Sequence, residues 1–89
     1  MLTKDQIFSN LKKIMSKLLK RDLKEVEDMV KFESNLKDDL GIDSVESLDF
    51  IYALEEFYSI EIDDKEAIKL EKVSDAVNLI LQKTRSQPK

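Results

Sequence analysis

The chain contains a single glycine, Gly41, in the segment Gly41-Ile42-Asp43-Ser44-Val45, where a turn hands over to the best helical pattern of the sequence. The other elements are arranged around that turn. Ten carboxylates lie between Asp38 and Asp64, with no lysine or arginine among them. Downstream, Ser47, Phe50, Ile51, Leu54, Phe57 and Tyr58 share one side of a helix that advances about 100° per residue, which predicts a core-facing helix over 44–59. Val45, Leu48 and Tyr52 fall on a different side, among Glu46, Asp49, Glu55 and Glu56. A helix that buries one face has no structural need of this second apolar strip. Leu48 and Tyr52 lie about 120° and 160° from Leu54, too far round for one core to take all three. We therefore expect Leu54 inward and the strip outward, as a docking surface rimmed by carboxylates.

Upstream, Ile7, Leu11, Ile14 and Leu18 recur at helical spacing, and Phe8, Met15 and Leu19 widen the stripe, which predicts a helix over 3–20. Thr3 is its expected cap, Gln6 completes a capping box, and Lys12, Lys13, Lys17 and Lys20 take the solvent side. Residues 21–43 read as a long connection, with a short helical turn over 22–29 and Leu23, Val26, Met29, Val30 and Phe32 as anchors. Leu36, Leu40 and Ile42 then offer apolar side chains to the core. A connection this long in a small domain is functional or internally packed. After Ile60-Glu61-Ile62, Asp63 and Glu66 signal the start of a short helix over 64–69. Glu71 or Lys72 opens the last helix, whose stripe is Val73, Ala76, Val77 and Ile80. These periods predict an all-α fold, a small four-helix bundle of three longer helices and one short one. The expected domain covers 1–82, and 83–89, with the only proline, is expected to be a disordered tail.

Composition narrows the chemistry. The chain has no Cys and no His. That removes thiolate and imidazole nucleophiles, Cys/His zinc sites and the usual general base, so no catalytic or metal-ligating residue is expected. A hydroxyl at a helix start with no base beside it, as at Ser44, suits modification and not unaided turnover. Asp38, Asp39 and Asp43 lack the spacing and the late glutamate of a calcium-binding EF-hand loop. The net charge of −4 conceals a split: the ten acids from Asp38 to Asp64 stand alone, and the remainder holds nine acids against fifteen basic residues. So concentrated an acidic patch argues against nucleic acid and for a basic protein partner. The apolar runs are too short for a transmembrane helix, and Met1-Leu2-Thr3-Lys4-Asp5 lacks the layout of a signal peptide. We expect a cytoplasmic monomer with no membrane insertion.

The run Asp38-Asp39-Leu40-Gly41-Ile42-Asp43-Ser44-Val45-Glu46-Ser47-Leu48 resembles acyl carrier proteins, and the similarity continues through Ala53-Leu54-Glu55-Glu56 and Ile60-Glu61-Ile62. The resemblance implies a bundle of acyl-carrier type in which Ser44, after Asp43, is the attachment point for 4′-phosphopantetheine. A separate magnesium-dependent phosphopantetheinyl transferase would install it from coenzyme A. It implies acyl thioesters carried for fatty-acid or related polyketide and specialised lipid biosynthesis, with no catalysis by the chain itself. The implied partners are that transferase and acyl-processing enzymes with basic docking faces, meeting Val45, Glu46, Leu48, Asp49, Tyr52, Glu55 and Glu56. An acyl pocket between the second helix and its neighbours would be lined by Leu36, Phe50, Ile51, Leu54, Ile62, Ala67 and Val77, with Phe50 favouring short or medium chains. Three positions depart from the family pattern. Val45 stands where leucine is most frequent, Asp63 stands where proline is common, and the first connection is a few residues longer, which leaves room for a specialised pathway. An aminoacyl or D-alanyl carrier, and an unmodified acidic interaction bundle, are the alternative readings.

Crowded carboxylates with no interspersed base repel one another, and mobile ions screen that repulsion. Added sodium chloride or magnesium should raise the melting temperature at pH 7. A melting temperature flat with salt would show charges too well solvated to matter.

Overall fold

The computed structural model describes residues 3–86. In chain order the helices are α1 (Lys4–Leu19), α2 (Leu23–Met29), α3 (Ser44–Tyr58), α4 (Asp64–Ile68) and α5 (Val73–Ser86). The all-α expectation holds, with five helices among the described residues where four were expected. The additional one is α2, seven residues long, inside the connection that the sequence marks only as a helical turn. It has no side-chain cap, and its single buried residue is Val26, too little pattern to read as a helix.

The other boundaries follow their signals. Thr3 caps α1: its Oγ1 accepts from the Gln6 amide at 3.1 Å, and Gln6 Oε1 accepts from the Thr3 amide at 3.0 Å. Helix α1 ends at Lys20, which adopts φ 55, and α3 ends at Ser59 with φ 54, both left-handed without being glycine. Asp63 and Glu66 form the same reciprocal pair at the start of α4. Glu66 Oε1 also accepts from Lys83 Nζ at 2.7 Å, tying this five-residue helix to α5.

Ile7, Leu11 and Met15 form the buried face of α1, which packs on α5, α2 and α3. Val73, Ala76, Val77 and Ile80 from α5 and Phe50, Ile51 and Leu54 from α3 complete the centre. The connection is packed, as expected. Val26 and Val30 are buried, the Phe32 ring meets Phe8 edge-on at 5.7 Å, and Leu36, Leu40 and Ile42 join the core.

Two expectations need correction. Phe57 does not lie in the core with Phe50 and Leu54: it is 56% exposed. Its neighbour Tyr58 takes the inward place and receives a hydrogen bond from Asn10 Nδ2 at 3.1 Å. Burial pushes the Tyr58 phenol above its usual pKa, against the smaller pull of that amide bond. The other concerns the tail. Helix α5 continues through Ser86, because Lys83 is held by Glu66 and Thr84 Oγ1 donates to the Ile80 carbonyl at 2.8 Å. The rest of the expected tail, 87–89, lies outside the described residues. Among the described residues, no helix is long and apolar enough to cross a membrane.

Leu54 is fully buried and Tyr52 is 60% exposed, two residues apart on one helix. Leu54→Ala should cost roughly 3 kcal/mol of unfolding free energy through the cavity it leaves. Tyr52→Ala should cost under about 0.5 kcal/mol. Urea denaturation of both variants checks this, and comparable losses would put Tyr52 in the core.

Candidate functional site

The turn before α3 is irregular backbone, and its amides are satisfied locally. Asn35 Oδ1 accepts from the amides of Lys37 and Asp38 at 2.9 and 2.8 Å, and Asp39 Oδ2 accepts from the Asn35 amide at 2.7 Å. The Gly41 amide donates to the Lys37 carbonyl at 3.0 Å, and the Ile42 amide to that of Leu36 at 3.0 Å. Gly41 has φ +68, and a Cβ added there would meet nothing within 4 Å. What the position requires is the left-handed backbone, not space. The turn is also fastened to the start of α5: the Leu36 amide donates to the Glu71 carbonyl and the Val73 amide to that of Ser34, each at 2.9 Å.

Asp43, not Ser44, is the N-cap of α3. Its Oδ1 accepts from the Glu46 amide at 2.8 Å, and Glu46 Oε1 accepts from the Asp43 amide at 3.3 Å. Ser44 is therefore the first helical residue. It is exposed, and its hydroxyl makes no hydrogen bond among the described residues. With the cap supplied by its neighbour, that oxygen is free for chemistry. A phosphate esterified to it would lie near the first amides of α3 and the positive end of the helix dipole. Beside Ser44 runs a cleft of about 480 Å³ with one wall of Leu36, Ile42, Ala67, Ile68 and Leu70 and a larger polar side that includes Asn35, Lys37, Asp38, Asp43, Ser47 and Glu71. The chain has no imidazole or thiol to activate the hydroxyl.

The expected docking strip is at the surface: Val45 is 69% and Leu48 53% exposed, and neither α4 nor the long connection covers them or Tyr52. None of the ten carboxylates from Asp38 to Asp64 forms an ion pair among the described residues. Several have a second task. Asp39, Asp43, Glu46 and Asp63 cap turns and helices, and half-buried Glu55 accepts from the Ile62 amide at 2.9 Å. Asp49 and Glu56 are exposed and unpaired in that sense.

Of the residues expected to line an acyl pocket, Leu36 and Ala67 wall the cleft beside Ser44. Phe50, Ile51, Leu54, Ile62 and Val77 do not line it and are buried in the core behind. The residue that sequence reasoning passed over is Ile68. It is 80% exposed on α4 and walls the same cleft. A helix of five residues is too short to show an apolar stripe, so only its neighbours Ala67 and Leu70 could have hinted at it.

An exposed serine that caps nothing, beside a cleft of mixed polar and apolar lining and on a chain with no cysteine or histidine, suits the attachment of a prosthetic arm. Residues 9–80 match the family model described as the phosphopantetheine attachment site. The chain is 44% identical over 74 residues to an acyl carrier protein of Campylobacter lari, covering 83% of this chain and 91% of that protein. It is 37% identical over 82 residues to one from Petrotoga mobilis, with 92% of each chain covered. Against one from Clostridium acetobutylicum it is 42% identical over 74 residues, covering 83% and 91%. This chain belongs to the phosphopantetheine-binding carrier family, whose cofactor is covalently attached 4′-phosphopantetheine.

Gly41→Ala should cost about 1 kcal/mol, the penalty of a left-handed residue with a Cβ. Gly41→Asn should cost less, because asparagine tolerates that conformation. Chemical denaturation of the two variants checks the cause, since equal losses would mean crowding and not backbone strain.

Proposed function

We infer that this protein is an acyl carrier protein in which Ser44 bears the 4′-phosphopantetheine arm. The observation that carries the reading is the free hydroxyl of Ser44, released from capping by Asp43 and lining the cleft that Leu36, Ala67 and Ile68 also wall. When bound, the arm supplies the thiol, and hence the thioester chemistry, that the cysteine-free chain lacks. Asp43 fixes the start of α3, and the first amides of that helix favour a negative group on Ser44. Leu36, Ala67 and Ile68 give the cleft its apolar wall, and Phe50, Ile51, Leu54, Ile62 and Val77 supply the apolar interior behind it for shielding a short or medium acyl chain.

The cargo is an acyl thioester for fatty-acid or related biosynthesis, in line with the names of the relatives. The chain performs no catalysis. A phosphopantetheinyl transferase loads it from coenzyme A, and acyl-processing enzymes act on what it carries. Their basic faces meet Glu46, Asp49, Glu55 and Glu56, which raise the association rate, and Val45, Leu48 and Tyr52 give the short-lived apolar contact. A monomeric state and a cytoplasmic location belong to the same reading.

Incubation with coenzyme A and a broad-specificity transferase should add the mass of phosphopantetheine to the wild type. Ser44→Ala should gain nothing while melting normally. Because Asp43 provides the cap, the substitution should cost less than about 0.5 kcal/mol. An Ala variant that still gains the mass would move the attachment elsewhere, with Ser47 in the cleft wall the next to test.

A further inference from the structure

Phe57 belongs by angle to the buried side of α3, yet it is 56% exposed. Its ring separates two adjoining clefts. One, of about 560 Å³, is walled by Ile14, Leu18, Ala53 and Phe57. The other, of about 330 Å³, is walled by Ile14, Leu23 and Phe57. Together they form an apolar depression between α1 and the end of α3, which none of the described residues fills. Lys13 and Lys17 stand on its α1 side, exposed and in no ion pair among the described residues. Glu56 stands on the α3 side of the wider cleft.

We propose that this depression is a second docking surface, separate from the Val45–Leu48–Tyr52 strip, and that its occupant is an acidic amphipathic helix of a partner protein. The shape requires apolar side chains on both sides of one ring, the i, i+3, i+4 spacing of a helix face. The charge requires carboxylates along the edge that meets Lys13 and Lys17, and excludes them from the edge that meets Glu56. A flat anionic membrane fits less well, because the depression is concave and Glu56 on its rim would face the headgroups. Phe57 is thirteen residues beyond Ser44 on α3, an axial distance of about 20 Å. A helix seated there leaves the Ser44 end open. On the carrier reading, the protein could remain held by one partner while the arm serves others; the binding itself does not depend on that reading.

The probe is a synthetic helical peptide with leucines at i, i+3, i+4 and i+7 and glutamates along one flank of that stripe only, titrated into the nitrogen-15-labelled protein. A matched peptide with lysines in place of the glutamates is the control. The glutamate peptide should shift the amides of Ile14, Lys17, Leu18 and Phe57 and bind at least about tenfold more tightly than the lysine peptide. Phe57→Ala, and separately the double variant Lys13→Glu/Lys17→Glu, should weaken it about tenfold or more, and Tyr52→Ala should not. Phe57 and both lysines are surface residues, and thermal melts confirm that the variants are folded. Shifts confined to the strip, equal binding of the two peptides, or indifference to Phe57→Ala would overturn the proposal. So would Phe57-dependent binding to phosphatidylglycerol vesicles without peptide binding, or Phe57-dependent self-association. Phosphopantetheine loading of Phe57→Ala is measured alongside. Unchanged loading with lost peptide binding supports a separate surface, whereas a wild type that fails to load counts against the Ser44 reading alone.

Discussion

The structure depends on how the irregular segment Ser34–Ile42 is held. Backbone that leaves a helix close to a core must find partners for its amides and carbonyls, and here it finds them in three places. Asn35 and Asp39 close the turn on itself. Paired backbone bonds to Glu71 and Val73 bind it to the start of α5. Leu36, Leu40 and Ile42 sink it into the apolar interior. The consequence is that α3 starts at a defined place and angle, with Ser44 as its first residue. On the proposed attachment at Ser44, a swinging prosthetic arm needs a firm base, and this network provides one without using the serine hydroxyl.

Charge is distributed by the same logic. The belt from Asp38 to Asp64 contains both structural and free carboxylates. Capping acids sit where helix amides lack intrahelical partners, and each such bond offsets part of the repulsion within the belt. The free ones, Asp49 and Glu56 among them, face solvent and form no ion pair among the described residues. Such charges contribute little to the fold and much to the encounter with a basic surface. The opposite sign gathers on α1, where Lys13 and Lys17 flank the depression around Phe57. The molecule therefore presents different chemistry at the two ends of α3.

Much of this was readable in the order of residues. The capping boxes at Thr3 and Asp63, the stripe of α5 and the outward Leu48 and Tyr52 all follow from local rules, because helical periodicity and cap chemistry act over a few residues. The turn at Gly41 was equally legible, since only glycine adopts that backbone at no cost. What escaped was of another kind. Helix α2 has too few apolar residues to show a period, and it lies against α1 with Val26 as its one buried side chain.

The sequence by itself determined the all-α class, the position of the serine turn, the acidic belt and the apolar strip beside it, since each is written in the spacing and type of near neighbours. Only the tertiary structure decided which apolar residues close the core and which stay open. Phe50 and Phe57 lie on the same side of one helix, but the first is buried in the core and the second stays 56% exposed at the edge of the depression it shares with Ile14 and Leu18 of α1. Ile68 and Leu36, thirty-two residues apart, become walls of one cleft only because α4 and the serine turn are brought together. Burial depends on what stands opposite, and that partner is set by the whole fold and not by the residue's own neighbours in the chain.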